Sequence, residues 1–506
     1  MSINFNVAGH PAIIGGFGAE TLESFPQGQD VLGRLLDASS KIPGLTFVSS
    51  QNLEVLEHLG GGRDLIVTGP ERLASITCAA LPAIAGAELV VVIAYSMNSI
   101  RRMKARFEAL QICTESFDLA PTKEEKRFIW EAMDRGDVQI LLVTPGRLAS
   151  DRFCDRLRRR SLGVIVIDQA QLMSPWSHKF VPAYRFVGDF LASLNAREHV
   201  APPQKIAIVW NPNGRMVRDL TKHLSLNSPH QGRLTAEALP GLDIEFRMIT
   251  AEADRQKFMI QELERSGGQG IIYCNSTKQV HDTAALLESR NEEFGIIRVG
   301  QNEIETNSIR RSFEDGSLRI VVAIGAFLSD LESAQGLEFC LFNGMPDSVE
   351  MMGRELLGVE DAGFIRCVVL VGEKDYYQHR FSIDKNYPDP LALRACVQGI
   401  RDIFGHKNML SPTALLTHLA LAIPFPADEI DLCMQVLFRE GVLKKIIASD
   451  TNIVYVAFTD TAEGEADFWH EYPIRKINHI ARLDQMREFT TKSQDTVRHF
   501  QNLIRL

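Results

Sequence analysis

The chain has 506 residues, 45% of them hydrophobic and 23% charged, a balance that argues against a mostly disordered protein. At roughly 100–200 residues per domain, three or four units are expected. A formal net charge of −10 excludes bulk attraction to polyanions, so any nucleic-acid binding must come from a local basic groove.

Residues 1–45 are Gly-rich and apolar and read as an N-terminal extension of irregular or short helical structure. From about Thr46 short apolar runs alternate with amphipathic stretches: DLIVTG, ELVVVIAY, VQILLVTP, LGVIVIDQA and QKIAIVW. Continuous apolar runs separated by helices predict a parallel sheet covered on both faces. This first α/β block is placed at 46–230, with SPHQGRLTAEALPGLD as the linker. A second block, 231–385, repeats the pattern in DIEFRMIT, GQGIIYCN, FGIIRVG, LRIVVAI, GLEFCLFNG and RCVVLVG. Over 386–460 the signal is three helices, one capped by Ser411 with Pro412 at its first position, and then two β-runs around a polar turn. That order is the winged-helix pattern. A polar helical segment, 461–506, ends the chain.

No apolar run approaches the ~18–20 residues of a bilayer span, so no membrane partner is expected. The opening MSINFNVAGHPAII lacks the basic start of a secretory signal. Eight scattered cysteines with no CxxC pair give neither a zinc ribbon nor a disulfide framework, and the cytoplasm is the expected compartment.

Two segments carry a family resemblance. SPWSHKFVPAY follows the strand end Asp168-Gln169-Ala170-Gln171, with aromatic, imidazole and proline groups at Trp176, His178, Phe180, Pro182 and Tyr184. It resembles the aromatic-rich loop after motif II of RecQ-type superfamily 2 DNA helicases. GIIYCNS, from Gly270 to Ser276, resembles the opening of their second helicase domain. Weaker matches are GRDLIV before motif I, TPGRL at motif Ib and IVVA before motif V, so the similarity runs in order over about residues 46–384. The resemblance implies an α/β fold of two tandem RecA-like domains, here followed by a winged-helix-like module and a C-terminal helical segment.

The positions that carry chemistry in such helicases depart from the pattern. A phosphate loop needs glycines, a lysine and a Ser/Thr hydroxyl. The aligned run is GPERLAS, with Ala74 at the lysine position and only Ser75 retained. Motif II, D-E-A-H in the family, keeps Asp168 but carries Gln169 and Gln171, and an amide cannot act as a general base. Anchored on Gly363, the motif VI arginine positions fall on Gly358 and Asp361, removing the charge that stabilises phosphoryl transfer. Motif III becomes Val209-Trp210-Asn211-Pro212, and motif V has Leu328 and Asp330 in place of glycines. Neither ATP nor Mg²⁺ is expected to bind. Nor is zinc, because no cysteine lies beyond Cys433, although Leu483, Met486, Phe489, Val497 and Arg498 loosely resemble the family's zinc-platform helices.

The expected function is that of a catalytically inactive helicase homologue that binds DNA, single-stranded or forked, within a larger complex of protein partners. Thr144 and Arg147 would touch phosphates, Trp176, His178 and Phe180 would line the strand path, and Asn275 and Ser276 would contribute from the second domain. Plainer readings stand beside these: core packing for Trp176 and Phe180, a solvated surface arginine for Arg147, and a buried strand with a polar end for Asn275 and Ser276. The basic runs RRMKAR and RFCDRLRRR could supply cleft charge or simply be solvated helix faces. Two alternatives stand: a protein-interaction scaffold without nucleic acid, favoured by Asp428, Glu429 and Asp431 on the third helix of the winged-helix-like module, and an ATP-dependent helicase whose ATPase is residual or completed by a partner.

Overall fold

The computed structural model describes residues 31–491, apart from 43–44, 46–48, 178–180, 196–200, 236–240, 299–300, 326, 329–330, 332–333, 358–362, 405–409, 440–441, 448–453 and 459–461. Two parallel sheets form the body. The first comprises β1 (Leu65–Thr68), β2 (Leu89–Ile93), β3 (Thr114–Ser116), β4 (Ile140–Val143), β5 (Leu162–Ile167), β6 (Gln204–Val209) and β7 (His230–Arg233), in the order β3-β4-β2-β5-β6-β1-β7. The second comprises β8 (Gly241–Ile249), β9 (Gln269–Cys274), β10 (Phe294–Ile297), β11 (Ile320–Ala323), β12 (Leu337–Asn343) and β13 (Phe364–Gly372), in the order β10-β11-β9-β12-β13-β8.

The apolar runs explain the layering. Side chains alternate across a strand, so Val90, Val92, Val164 and Val166 enter one core while Val91, Ile93, Ile165 and Ile167 enter the other. The second sheet is divided in the same way, with Ile271 and Val321 on one face and Ile272 and Val322 on the other. Both sheets are thus sandwiched by helices, which gives the expected α/β fold of two RecA-like lobes.

Two local features differ from the sequence reading. Helix Val31–Ser40 buries Val31, Leu35 and Ala38 in the first lobe's core, ahead of the boundary placed at residue 46. The expected linker contains a strand: β7 pairs with β1 at the sheet edge, from His230 opposite Leu65 to Arg233 opposite Thr68. The polar sequence of β7, HQGR, hid it, because an edge strand need not be apolar. The final helix, Ala462–Thr491, lies in the expected 461–506 segment, whose residues 492–506 are outside the described residues.

Helices Pro390–Phe404, Pro412–Ala422 and Ala427–Arg439 precede an antiparallel pair, β14 (Leu443–Ile447) and β15 (Val454–Phe458). Ser411 accepts a hydrogen bond from the Ala414 amide at 3.2 Å, the cap anticipated from sequence. The C-terminal helix crosses from this unit to the second lobe. Tyr472 is buried in the former and donates to the Pro388 carbonyl at 3.0 Å. Leu483, Met486 and Phe489 enter the core of the latter, with Phe489 edge-on to Phe246 at 5.4 Å; Val497 and Arg498 lie outside the described residues. Among the described residues, no helix is long and apolar enough to cross a membrane.

Candidate interlobe site

The carboxyl ends of β1, β2, β5 and β6 face the second lobe, where ligands bind in open parallel sheets. After β1 only Gly69 and Pro70 precede helix Glu71–Ser75. A phosphate cradle needs a run of backbone N–H donors, and Pro70 has none. Gly69 has φ +155°, and a Cβ there would lie 2.7 Å from the Leu234 carbonyl oxygen. This glycine therefore serves the close approach of Leu234, the residue that follows β7. Ala74 and Ser75 are buried. The Ser75 hydroxyl donates to the Arg72 carbonyl at 3.0 Å and accepts from Arg106 Nη1 at 2.8 Å, so its hydrogen bonds are made within the lobe.

Glu71 forms an ion pair with Arg102 of helix Met97–Ala109. Burial pushes its carboxyl up, but Arg102, Arg106 and Arg354 outweigh that and hold it below the usual carboxylate range. The run RRMKAR is thus no solvated face; Arg102 is itself buried. Asp168, at the end of β5, is also buried. Its Oδ2 accepts the Ser99 hydroxyl at 3.2 Å, and its Oδ1 has no hydrogen-bond partner among the described residues. Burial, with the nearby Glu71 charge, pushes the Asp168 carboxyl up to about 7.

The two glutamines brace the turn. Gln169 adopts a left-handed φ of +51°. Gln171 Nε2 donates to Gln169 Oε1 at 2.6 Å, and Gln171 Oε1 accepts the Trp210 amide at 3.1 Å. The Tyr184 hydroxyl donates to the Asp168 carbonyl at 2.5 Å. Where the family pattern places a proton acceptor, this chain has amides linking the end of β5 to the end of β6.

Arg354 was missed from the sequence. It lies on helix Val349–Leu357 of the second lobe and crosses to Tyr95, donating to the hydroxyl at 2.6 Å with its guanidinium 4.9 Å from the ring centre. Its charge also acts on Glu71 and Asp168. The signal was present: Gly353-Arg354, with Glu350 three residues before the glycine, repeats the first G-R step of Q-x-x-G-R-x-G-R. The register anchored on Gly363 ran past it to Gly358 and Asp361, which lie outside the described residues.

Trp176 is half-buried, with the Arg215 guanidinium 4.2 Å over its ring. Its loop is tied to the C-terminal helix. Arg482 Nη2 donates to the Trp176 carbonyl at 2.7 Å, Asn478 donates to the Ser177 carbonyl at 2.9 Å, and Arg482 also pairs with Glu350. Asn211, Asn213, Glu350, Arg482 and Gln485 are among the residues lining a pocket of about 270 Å³ beside it. His178 and Phe180 lie outside the described residues.

The remaining candidates make internal contacts. Arg147 Nε donates to Asp118 Oδ1 at 2.9 Å, and the Thr144 amide donates to Asp118 Oδ2 at 2.7 Å. Asn275 Nδ2 donates to the Met345 carbonyl at 2.8 Å, and Ser276 caps helix Thr277–Ser289 through the Gln279 amide at 3.2 Å. Within RFCDRLRRR, Arg156 lies 4.2 Å over Trp130 and pairs with Asp134 at 3.6 Å.

For a nucleotide and Mg²⁺ these residues do not fit. The cradle has a proline where an N–H donor is needed, a carboxylate at Glu71 and an alanine, Ala74, at the lysine position, and the retained hydroxyl is occupied. Among the described residues at this position, Asp168 and Arg354 keep suitable chemistry.

No family model matches the chain. The chain is 22% identical over 385 residues to the "ATP-dependent DNA helicase RecQ" of Pasteurella multocida, covering 75% of this chain and 59% of the relative. It is 25% identical over 298 residues to "RecQ-like DNA helicase blm-1" of Caenorhabditis elegans, covering 57% of this chain and 29% of the relative. The chain thus spans well under two thirds of these relatives. Among solved structures, "DUF1998 helicase MrfA bound to DNA" superposes with a TM-score of 0.55 at 14% identity, covering 88% of this chain and 64% of that one. In sequence the chain is similar to RecQ-like superfamily 2 DNA helicases, and in fold it carries their two RecA-like lobes.

Proposed function

We propose that the chain is a catalytically inactive RecQ-like helicase homologue that binds DNA, single-stranded or forked, as a subunit of a larger DNA-processing complex. One observation carries this reading: the groups at the triphosphate position are spent on each other. Glu71 neutralises Arg102, Arg106 holds Ser75, and Arg354 spans the cleft to Tyr95. A triphosphate entering there would have to displace these contacts and face the Glu71 carboxylate.

The strand path keeps better-suited chemistry. Trp176 with Arg215 offers an aromatic face and a cation at the cleft, and stacking of a base on such a face contributes ~1–3 kcal/mol without sequence preference. Thr144 and Arg147 stand at the end of β4, where Arg147 remains about a third exposed (30%) beside Asp118. Asn275 and Ser276 stand at the matching end of β9, and His178 and Phe180 belong to the same proposed path. The 386–460 unit is proposed as a winged-helix-like module that contacts protein, since Asp428 and Glu429 in the first turn of its third helix would repel phosphates.

Fluorescence anisotropy with labelled single-stranded and forked DNA tests the reading. Binding that falls steeply with salt and weakens in Trp176→Ala supports it. Salt-insensitive or absent binding favours the scaffold alternative. Hydrolysis of ATP by the isolated chain would contradict inactivity, whereas turnover that requires added partners would favour the partner-completed reading left open by Arg354 and Asp168.

A further inference from the structure

At the far end of the first sheet from the cleft, helix Ser50–Gly60 lies along the edge strand β7. Asn52 exchanges hydrogen bonds with the Thr235 backbone at 2.8 and 3.0 Å. Val55 packs so closely on Gly232 that a Cβ there would lie 2.6 Å from Val55 Cγ2. One turn further on, Glu54 and His58, at i and i+4 of the same helix face, meet His230 at the start of β7. The imidazoles of His58 and His230 stack with centroids 3.7 Å apart, and His230 Nε2 lies 3.3 Å from Glu54 Oε1. One donor atom from each of the three residues lies within 4.8 Å of the other two.

We propose that Glu54, His58 and His230 form a site for a divalent transition-metal ion of the zinc class, which staples helix Ser50–Gly60 to β7. Several observations converge. Two imidazoles and a carboxylate are a donor set that suits zinc and its neighbours rather than Mg²⁺ or Ca²⁺. Tetrahedral bonds of ~2.0–2.2 Å put donors roughly 3.3–3.6 Å apart, and the three here stand within 4.8 Å of one another, with His230 Nε2 and Glu54 Oε1 already at 3.3 Å. Ligation asks the stacked imidazoles to open until both in-plane lone pairs meet one ion. His230 Nε2 is shut off from solvent without a well-formed hydrogen bond among the described residues, and it can ligate when the ring proton sits on Nδ1. His58 sits in the last turn of its helix, where the backbone dipole favours a cation. The site is independent of the interlobe reading.

The full chain, freed of metal with a chelator, would be titrated with ZnCl₂ by calorimetry and thermal unfolding. One equivalent should bind, and the unfolding midpoint should rise by a few degrees at saturation. His58→Gln and His230→Gln should each abolish that equivalent. Zinc binding that survives both substitutions, or no stoichiometric binding by the wild type, would overturn the assignment. Substitution with Co²⁺ gives a readout on the wild type alone: a d–d spectrum of nitrogen and oxygen ligands supports the site, and thiolate charge transfer places the ion on cysteines instead and overturns it.

Discussion

The loop after β1 and the loop after β5 rise from the same parallel sheet and face the same cleft, yet their polar groups have different fates. After β1, Glu71 and Ser75 are satisfied by arginines of their own lobe. After β5, the chain continues into Trp176, whose ring carries Arg215 and whose backbone is held by the C-terminal helix. The first region has turned inward and become part of the fold's own packing. The second keeps an aromatic face at the opening. Strand burial preserves the scaffold in both places, so the difference lies in which side chains are left to meet a ligand.

The sharpest way to break this comparison is to reopen the first region. Arg102→Ala leaves Glu71 beside Asp168 with less compensation. Removing one partner of a buried pair costs about 3–5 kcal/mol, and the lower end is expected because Arg106 and Arg354 remain. Denaturant unfolding should show that loss, and adding Glu71→Gln should recover most of it. The second test uses pH. The Asp168 carboxyl, pushed up to about 7 in the native state, holds a proton there that the unfolded chain releases near pH 4. Stability contributed by this group therefore falls as pH rises from about 4 to about 7. Asp168→Asn should flatten that stretch of the profile and gain at most about 4 kcal/mol at pH 8. On the other side of the comparison, Trp176→Ala should weaken single-stranded DNA binding by ~1–3 kcal/mol, read by anisotropy, with little change in folding. The smallest effect belongs to the bridge between lobes: Tyr95→Phe removes one hydrogen bond to Arg354, worth about 0.5–1.5 kcal/mol, read as a slight fall in the unfolding midpoint.

The layered fold was legible because fully buried parallel strands are continuous apolar runs, as in LVVVI and LGVIVI. What escaped were elements whose sequence carries no such signal. HQGR is polar because β7 is an edge, and β3 is only three residues long. The C-terminal helix, by contrast, was legible as a polar helical segment; it mixes polar and apolar positions because it packs against the Trp176 loop, the second lobe and the 386–460 unit. At the site, Ala74, Gln169 and Gln171 were visible as departures from a pattern. Their replacement partners were not, since Arg102, Arg106 and Arg354 reach Glu71 only through the fold. Arg147, Asn275 and Ser276 also looked freer in sequence than Asp118, Met345 and Gln279 leave them.

Calorimetric titration of the isolated chain with a nonhydrolysable ATP analogue and Mg²⁺ addresses the central claim most directly. With the triphosphate position filled by Glu71, Arg102, Arg106 and Ser75, no saturable heat is expected at millimolar nucleotide. Stoichiometric, magnesium-dependent binding that is lost in both Asp168→Asn and Arg354→Ala would contradict it.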